Sequence, residues 1–200
     1  MKYKKIIASV ILGLTLSVPT LADVTHTVIK GDSMWKIANK YEVGLSEIKN
    51  SNLHIKNPDL IYPGDKLTIP LIDSSVTEYE KKVVELVNKE RAKYNLSPLT
   101  YDWQLSRVAR IKSQDMKDNG YFSHTSPTYG SPFNMMKSFG ISYSYAAENI
   151  AKGQKTPEAV VNAWMNSSGH RANILSDKYT KIGVGYVAGG NYWTQMFIRP

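Results

Sequence analysis

With 200 residues, the chain is long enough for one or two domains. It contains no cysteine, which excludes a disulfide framework, so folding must rest on core burial alone, as suits a protein exported by a bacterium. The net charge of +8 favours anionic polymers, but basic and aromatic residues are not interleaved in the way that indicates nucleic-acid binding.

The first 22 residues have the pattern of a secretory signal peptide. Three of the first five residues are lysines, and the apolar run Ile6–Val18 that follows is too short for an ordinary membrane span. Cleavage is predicted after the small residue Ala22, and loss of the three lysines would lower the net charge from +8 to +5. An uncleaved N-terminal anchor is the alternative. Beyond Ala22, no apolar run is long enough to span a bilayer.

Residues 26–70 are predicted to form a small β-α-α-β unit. Its elements are a strand at Thr27–Ile29, a helix capped by Ser33, a helix opened by Ser46, a turn at Pro63–Asp65 and a strand at Lys66–Ile69. The apolar face of the first helix is assigned to Trp35, Ile37, Ala38 and Tyr41. Residues 71–76 are predicted to be a short polar linker.

Residues 77–200 are predicted to form a second domain of the α+β class. Thr77 and Glu80 make a capping box before a helix whose inward residues are Val83, Val84, Leu86 and Val87. Three more helices are predicted behind the cap-type residues Asp102, Ser131 and Thr156. Near the end of the chain, two runs of period two flank a Gly-Gly-Asn turn and predict a β-hairpin, at 182–187 and 192–198. Helices followed by strands indicate an antiparallel sheet packed against helices.

The segment from His26 to Pro70 resembles a LysM module over its whole length. It keeps two strand-like runs around two helix-like runs, joined by Gly31-Asp32 and Pro63-Gly64-Asp65. The resemblance implies binding of N-acetylglucosamine polymers such as peptidoglycan and chitin. It therefore implies a location on a cell wall or spore envelope.

By the same resemblance, the glycan groove lies between the loop after the first strand and the loop before the last. The candidate glycan-binding residues are Gly31, Asp32, Ser33, Met34, Asn57, Pro58, Asp59, Leu60, Ile61 and Tyr62. Loop backbone amides would bond the N-acetyl group, and Met34, Leu60 and Ile61 would form the apolar wall. Asp32 and Ser33 have helix capping as an alternative role, while Trp35 and Ile37 are predicted to pack in the core. A single module binds weakly, so strong attachment would need a further site.

Four segments of residues 77–200 resemble, in this order, the CAP superfamily, also called SCP-like, and its bacterial secreted branch in particular. They are Asn88-Lys-Glu-Arg91, Phe122-Ser-His-Thr-Ser-Pro127, Ala147-Glu-Asn-Ile150 and Ser168-Gly-His-Arg-Ala-Asn-Ile-Leu175. The resemblance implies an α-β-α sandwich with a large central cleft.

The CAP resemblance also implies a cleft tetrad of two histidines and two acids. His124, Glu148 and His170 match three members, but the second acid, three residues after Trp164, is replaced by Ser167. Two imidazoles and a carboxylate can hold Zn²⁺, so His124 and His170 are candidate ligands of zinc or another divalent cation. The same three residues could also serve as base, orienting acid and proton donor. Alternatively, each histidine is structural, and Glu148, Asn149 and Asn173 fix loops by hydrogen bonds.

The leading hypothesis is a secreted, extracellular protein of the cell wall or spore envelope. Its LysM module would dock on peptidoglycan or a related glycan, and its CAP cleft would be presented to a ligand or partner, as a binding protein rather than an enzyme. One alternative is a cell-wall hydrolase or peptidase that uses His124, Glu148 and His170. Another is a spore-coat or envelope assembly factor that acts through protein contacts. A serine nucleophile is disfavoured because no Gly-x-Ser-x-Gly elbow is present.

Overall fold

The computed structural model describes residues 23–200, so the predicted signal peptide, residues 1–22, lies outside the described residues. The elements in chain order are β1 (Asp23–Thr27), α1 (Met34–Tyr41), α2 (Leu45–Ser51), β2 (Lys66–Pro70), α3 (Ser74–Ala92), β3 (Thr100–Tyr101), α4 (Trp103–Asp118), α5 (Pro132–Ser138), β4 (Tyr145–Lys152), α6 (Pro157–Met165), α7 (Ser168–Ile174), β5 (Lys181–Val187) and β6 (Tyr192–Arg199). Within this part of the chain, no helix is both long enough and apolar enough to cross a membrane.

The N-terminal domain, β1 to β2, has the predicted β-α-α-β order. The two strands pair antiparallel, and both helices bury apolar side chains against them. β1 spans Asp23–Thr27, whereas the prediction was Thr27–Ile29, so it both begins and ends earlier than predicted. Val28 leaves the ladder, stays buried and donates its amide to the Asp65 carbonyl oxygen at 2.8 Å. α2 begins at Leu45 behind Gly44, whereas Ser46 was predicted to open it; the Ser46 hydroxyl instead donates to Glu47 at 2.8 Å.

The connection between the domains is shorter than the predicted linker 71–76. Asp73 caps α3 by accepting a 2.8 Å hydrogen bond from the Ser75 amide, so the helix begins at Ser74. The predicted capping box at Thr77 therefore lies inside the first turns of the helix. The longer helix forms because the Asp73 side chain, four residues before Thr77, accepts from the first-turn amides equally well.

The C-terminal domain, α3 to β6, is an α-β-α sandwich, as predicted. Its sheet has the order β3-β5-β6-β4; β6 pairs antiparallel with both neighbours, and the two-residue strand β3 pairs parallel to β5. α3 and α6 cover one face and α4 and α5 the other. Side chains of β6 point to both faces of the sheet. Trp193 and Phe197 pack in the core under α3 and α6, and Met196 and Ile198 pack in the core under α4 and α5.

Two devices hold α4 close to β5. Gly183 and Gly185 leave room for the helix backbone; a Cβ at Gly185 would lie 2.0 Å from the backbone nitrogen of Arg110. A buried ion pair then ties three elements together. Glu80 of α3 accepts two hydrogen bonds from Arg110 of α4, at 2.8 and 2.6 Å, and one from the Tyr186 amide of β5 at 3.0 Å. α4 is thereby held as a fixed wall of the domain.

Candidate functional site

The two loops predicted to bind glycan do meet in the N-terminal domain. They enclose a groove of about 210 Å³ that we call the LysM groove; it is lined by Asp32, Ser33, Met34, Trp35, Leu45, Pro58, Asp59, Leu60 and Ile61. Seven of the ten predicted residues are in this lining. Gly31, Asn57 and Tyr62 flank it without lining it. The structure therefore brings the candidate residues to one place.

Several of the predicted residues build the loops around this groove. The Asp32 carboxylate accepts hydrogen bonds from the Ile29 amide at 3.0 Å and from His26 Nε2 at 2.9 Å. The Ile29 bond first, and the His26 bond next, hold the pKa of Asp32 below its usual value. Ser33 is the N-cap of α1 and accepts from the Lys36 amide at 3.3 Å. The capping alternative is thus correct for Ser33, while Asp32 fixes the loop.

Trp35 is an exposed residue of the LysM groove lining, so its predicted core position is wrong. Its exposed fraction is 62%, against 1% for Ile37, which is buried as predicted. The inward stripe of α1 consists of Met34, Ile37 and Ala38, at helical spacings of three and four, and this stripe directs Trp35 outwards. An exposed indole beside a groove can stack on the apolar face of a sugar ring.

The C-terminal domain brings His124 and Glu148 together in a second, open cleft of about 500 Å³. Its lining includes Thr125, Phe133, Asn173 and Tyr179 in addition to these two residues. His124 Nδ1 lies 2.7 Å from Glu148 Oε1; the imidazole is 52% exposed, whereas the carboxylate on β4 is buried. A solvent-facing imidazole is therefore backed by a carboxylate that is shielded from water.

Burial is the largest influence on the Glu148 carboxyl. It raises the pKa of Glu148, although the hydrogen bond to His124 and the positive charge of Lys112 act in the opposite direction. Glu148 Oε2 is buried and has no hydrogen-bond partner among the described residues. Lys112 is itself fully buried, which lowers its pKa, and its ammonium donates to the Tyr121 hydroxyl and the His124 carbonyl oxygen, both at 3.0 Å.

A polar network beneath the cleft anchors the loop that carries His124. The Asp115 carboxylate accepts hydrogen bonds from the hydroxyls of Tyr121, Ser126 and Thr128. Sequence reasoning missed this network. A signal was present, since Lys112 falls within the apolar stripe Leu105, Val108, Ala109 and Met116 of α4, where a charged residue must find buried partners.

Residues 84–197 match the family model described as the cysteine-rich secretory protein family, CAP. The chain belongs to the CAP family. Residues 26–70 match the LysM domain model, so a LysM domain precedes the CAP domain, as predicted.

The relatives described next each match a part of this chain. The protein YkwD of Bacillus subtilis (strain 168) is 70% identical over 125 residues, which are 62% of this chain and 49% of that protein. SpoIVD-associated factor A of the same bacterium is 56% identical over 45 residues, which are 22% of this chain and 12% of that protein. An extracellular protein containing a SCP domain from Bacillus anthracis str. Ames is 35% identical with a TM-score of 0.61, covering 69% of this chain and 47% of that one. The chain spans about half the length of YkwD, the curated relative that matches its CAP domain.

The third candidate of the CAP domain, His170, lies on α7 and is held through its backbone. Asn149 donates to the His170 carbonyl oxygen at 3.1 Å, and Asn173 donates to the Asn149 side chain at 2.8 Å. Burial first, and the charge of His124 second, lower the pKa of His170. Asn149 and Asn173 therefore fix loops, as the sequence suggested.

The residues that the structure describes contain no preformed cluster of metal ligands. Within residues 23–200, no group of three or more His, Asp or Glu side chains is arranged to hold a metal ion. His124 Nδ1 is engaged with Glu148, and Ser167 stands where the second acid of the tetrad was expected. The bond to Glu148 occupies only Nδ1 of the imidazole, and Nε2 can still coordinate a cation, so the metal role of His124 and His170 stays a prediction.

Proposed function

We propose that this chain is an exported binding protein of the cell wall or spore envelope. The LysM domain would hold an N-acetylglucosamine-containing glycan such as peptidoglycan, and the CAP domain would present its cleft to a ligand or partner protein. The observation that carries the proposal is the groove between the two LysM loops. Its lining includes the exposed side chains of Leu60 and Trp35 and the N-terminal end of α1.

These features suit an acetamido sugar. The first amides of a helix have no intrahelical acceptor, and of those in α1 the Lys36 amide is taken by Ser33. The amides of Met34 and Trp35 precede it and belong to residues that line the groove, where an acetamido carbonyl oxygen could accept from them. Apolar side chains with a few placed polar groups are the usual composition of a small-ligand site.

Sedimentation with purified insoluble peptidoglycan tests the proposal with a matched pair of variants of residues 23–200. Leu60 and Leu53 are both exposed LysM leucines, at 52% and 83%, but only Leu60 lines the groove. Leu60→Ala is expected to lower the bound fraction and Leu53→Ala to leave it unchanged. Recovery of the parent entirely in the supernatant would refute glycan binding.

A wall hydrolase that uses the CAP cleft is the rival proposal. The His124–Glu148 pair favours it, because a buried carboxyl with a raised pKa beside an imidazole is a typical acid–base arrangement. Against it, glycoside hydrolysis ordinarily uses two carboxyl groups, and Ser167 stands where the family tetrad has its second acid. A zymogram on peptidoglycan with the parent and His124→Ala separates the two. Lysis by the parent and not by the variant would establish the hydrolase.

A relative of the LysM domain supports the spore envelope as the location of this binding. The LysM domain is 51% identical over 45 residues to part of the spore coat assembly protein ExsA of Bacillus cereus. If the chain instead assembles an envelope through protein contacts of its CAP domain, deletion of residues 23–70 should leave its location unchanged. Fluorescent fusions with and without this segment distinguish assembly from glycan anchoring.

A further inference from the structure

A second groove lies where the LysM domain meets the CAP domain, and we call it the interdomain groove. It has a volume of about 280 Å³. The LysM side contributes residues around the start of α2, and the CAP side contributes α4 and the end of α5; the lining on the CAP side is Trp103, Gln104, Arg107, Ser138 and Phe139. Trp35 and Leu45 line both this groove and the LysM groove. The two grooves therefore adjoin each other at Trp35 and Leu45.

An ion pair between the two domains lies beside this groove. Arg107 binds the Glu47 carboxylate through two hydrogen bonds of 2.7 Å each and donates to the Ser46 hydroxyl at 2.9 Å. The guanidinium also lies over the Phe139 ring, 5.2 Å from its centroid. Gly44 leaves room for this ion pair, because a Cβ there would lie 2.0 Å from Glu47 Oε2 and 2.2 Å from Arg107 Nε. A bidentate arginine–carboxylate pair fixes the relative orientation of its two groups as well as their distance, so the two domains enclose a defined space.

The lining has the chemistry of a carbohydrate site. Trp35, Trp103 and Phe139 supply aromatic surface for sugar faces, while Gln104 and Ser138 supply amide and hydroxyl groups for sugar hydroxyls. At about 210 and 280 Å³, each groove is smaller than a typical ligand site of about 300–1,000 Å³, but the two together fall within that range.

We propose that a glycan chain longer than the LysM groove continues past Trp35 into the interdomain groove. Trp103 and Ser138 of the CAP domain would then form additional sugar subsites. This inference rests on the proposed glycan binding of the LysM domain. It makes the CAP domain a participant in holding the glycan, independently of what its His124–Glu148 cleft binds.

The test is isothermal titration of residues 23–200 with the trimer and the hexamer of N-acetylglucosamine. The parent should bind the hexamer at least about fivefold more tightly than the trimer. Trp103→Ala should remove this gain and leave the trimer affinity unchanged. Ser138→Gln fills the groove from an exposed position and should have the same effect without risk to the core. Tyr145→Ala, which removes an exposed ring elsewhere on the CAP domain, should change neither affinity.

Two negative results have different meanings. If the parent binds the trimer but Trp103→Ala and Ser138→Gln keep the full hexamer gain, or if no gain exists, the extended site is refuted while LysM binding stands. If the parent binds neither oligomer, the proposed function fails and the extended site fails with it.

Discussion

Replacement of Arg91 by alanine tests whether the Asn-x-x-Arg motif of the CAP domain braces α7. Arg91 is 2% exposed and donates to three carbonyl oxygens, those of Ser97 at 2.9 Å and of Ile174 and Ser176 at 2.7 Å. A hydrogen bond to a charged group contributes about 1.5–3 kcal/mol. Water can reach the carbonyls of Ser97 and Ser176 in the variant, but the bond to Ile174 is buried. We therefore expect Arg91→Ala to lower the free energy of unfolding by about 3–5 kcal/mol.

The matched control is Arg171→Ala, which removes the same charge from α7 itself. Arg171 is exposed and contacts the Tyr94 hydroxyl at 2.6 Å, so its loss should cost less than about 1 kcal/mol. Urea unfolding of the CAP domain, followed by circular dichroism, measures both variants. A loss of 1 kcal/mol lowers the melting temperature of a chain of this size by about 2–4 °C. The melting temperature should therefore fall by about 6–20 °C in Arg91→Ala and by less than about 4 °C in Arg171→Ala. Equal losses in the two variants would refute the assignment of Arg91 as the brace of α7.

Three further predictions concern packing, pH and the domain contact. Gly185→Ala drives a Cβ into the α4 backbone and should destabilise the CAP domain by about 1–3 kcal/mol, whereas Gly169→Ala faces open space and should be neutral or stabilising in the same unfolding assay. Burial raises the pKa of Glu148, so the stability that its protonated carboxyl contributes is full below pH 4.5 and is lost as the pH rises through the folded-state pKa. The free energy of unfolding of the parent, relative to that of Glu148→Gln, should therefore fall above pH 4.5. A relative stability that stays constant or rises with pH would contradict this. Gly44→Ala should displace Arg107 from Glu47 and so speed proteolysis at residues 71–73, without lowering the melting temperature of the CAP domain. An unchanged rate of cleavage would show that the Arg107–Glu47 contact tolerates the added methyl group.

Local chemistry made much of the fold predictable. Ser33, Asp102, Ser131 and Thr156 cap helices as predicted, because a side-chain acceptor at a helix start acts within four residues of itself. The hairpin of β5 and β6 was also predictable, since its turn and its alternation are both local. The family resemblances supplied the layer order.

The strand β4 and the helix α7 escaped prediction because their signals are interrupted. β4 carries Glu148 and Asn149 at buried positions, so the polar pair hides a strand that is nevertheless paired with β6. α7 contains Gly169 near its start and is held by Asn149 and Arg91 rather than by its own propensity. Both elements take their form from distant partners, which no local pattern reveals.

The candidate site divides in the same way. The LysM loops could be located through the family resemblance, yet the exposure of Trp35 depends on which helix stripe faces the strands. In the CAP cleft the sequence pointed to His124 and Glu148, but not to Lys112, whose role depends on a loop folding over it. Contacts that join separate parts of the chain decide both outcomes.

Backbone amide shifts during titration with an N-acetylglucosamine oligomer test the central claim most directly. For isotopically labelled residues 23–200, the account predicts that the largest shift changes fall at Gly31–Trp35 and Asn57–Tyr62, around the LysM groove. Shift changes confined to the His124–Glu148 cleft, or no changes at saturating oligomer, would contradict it.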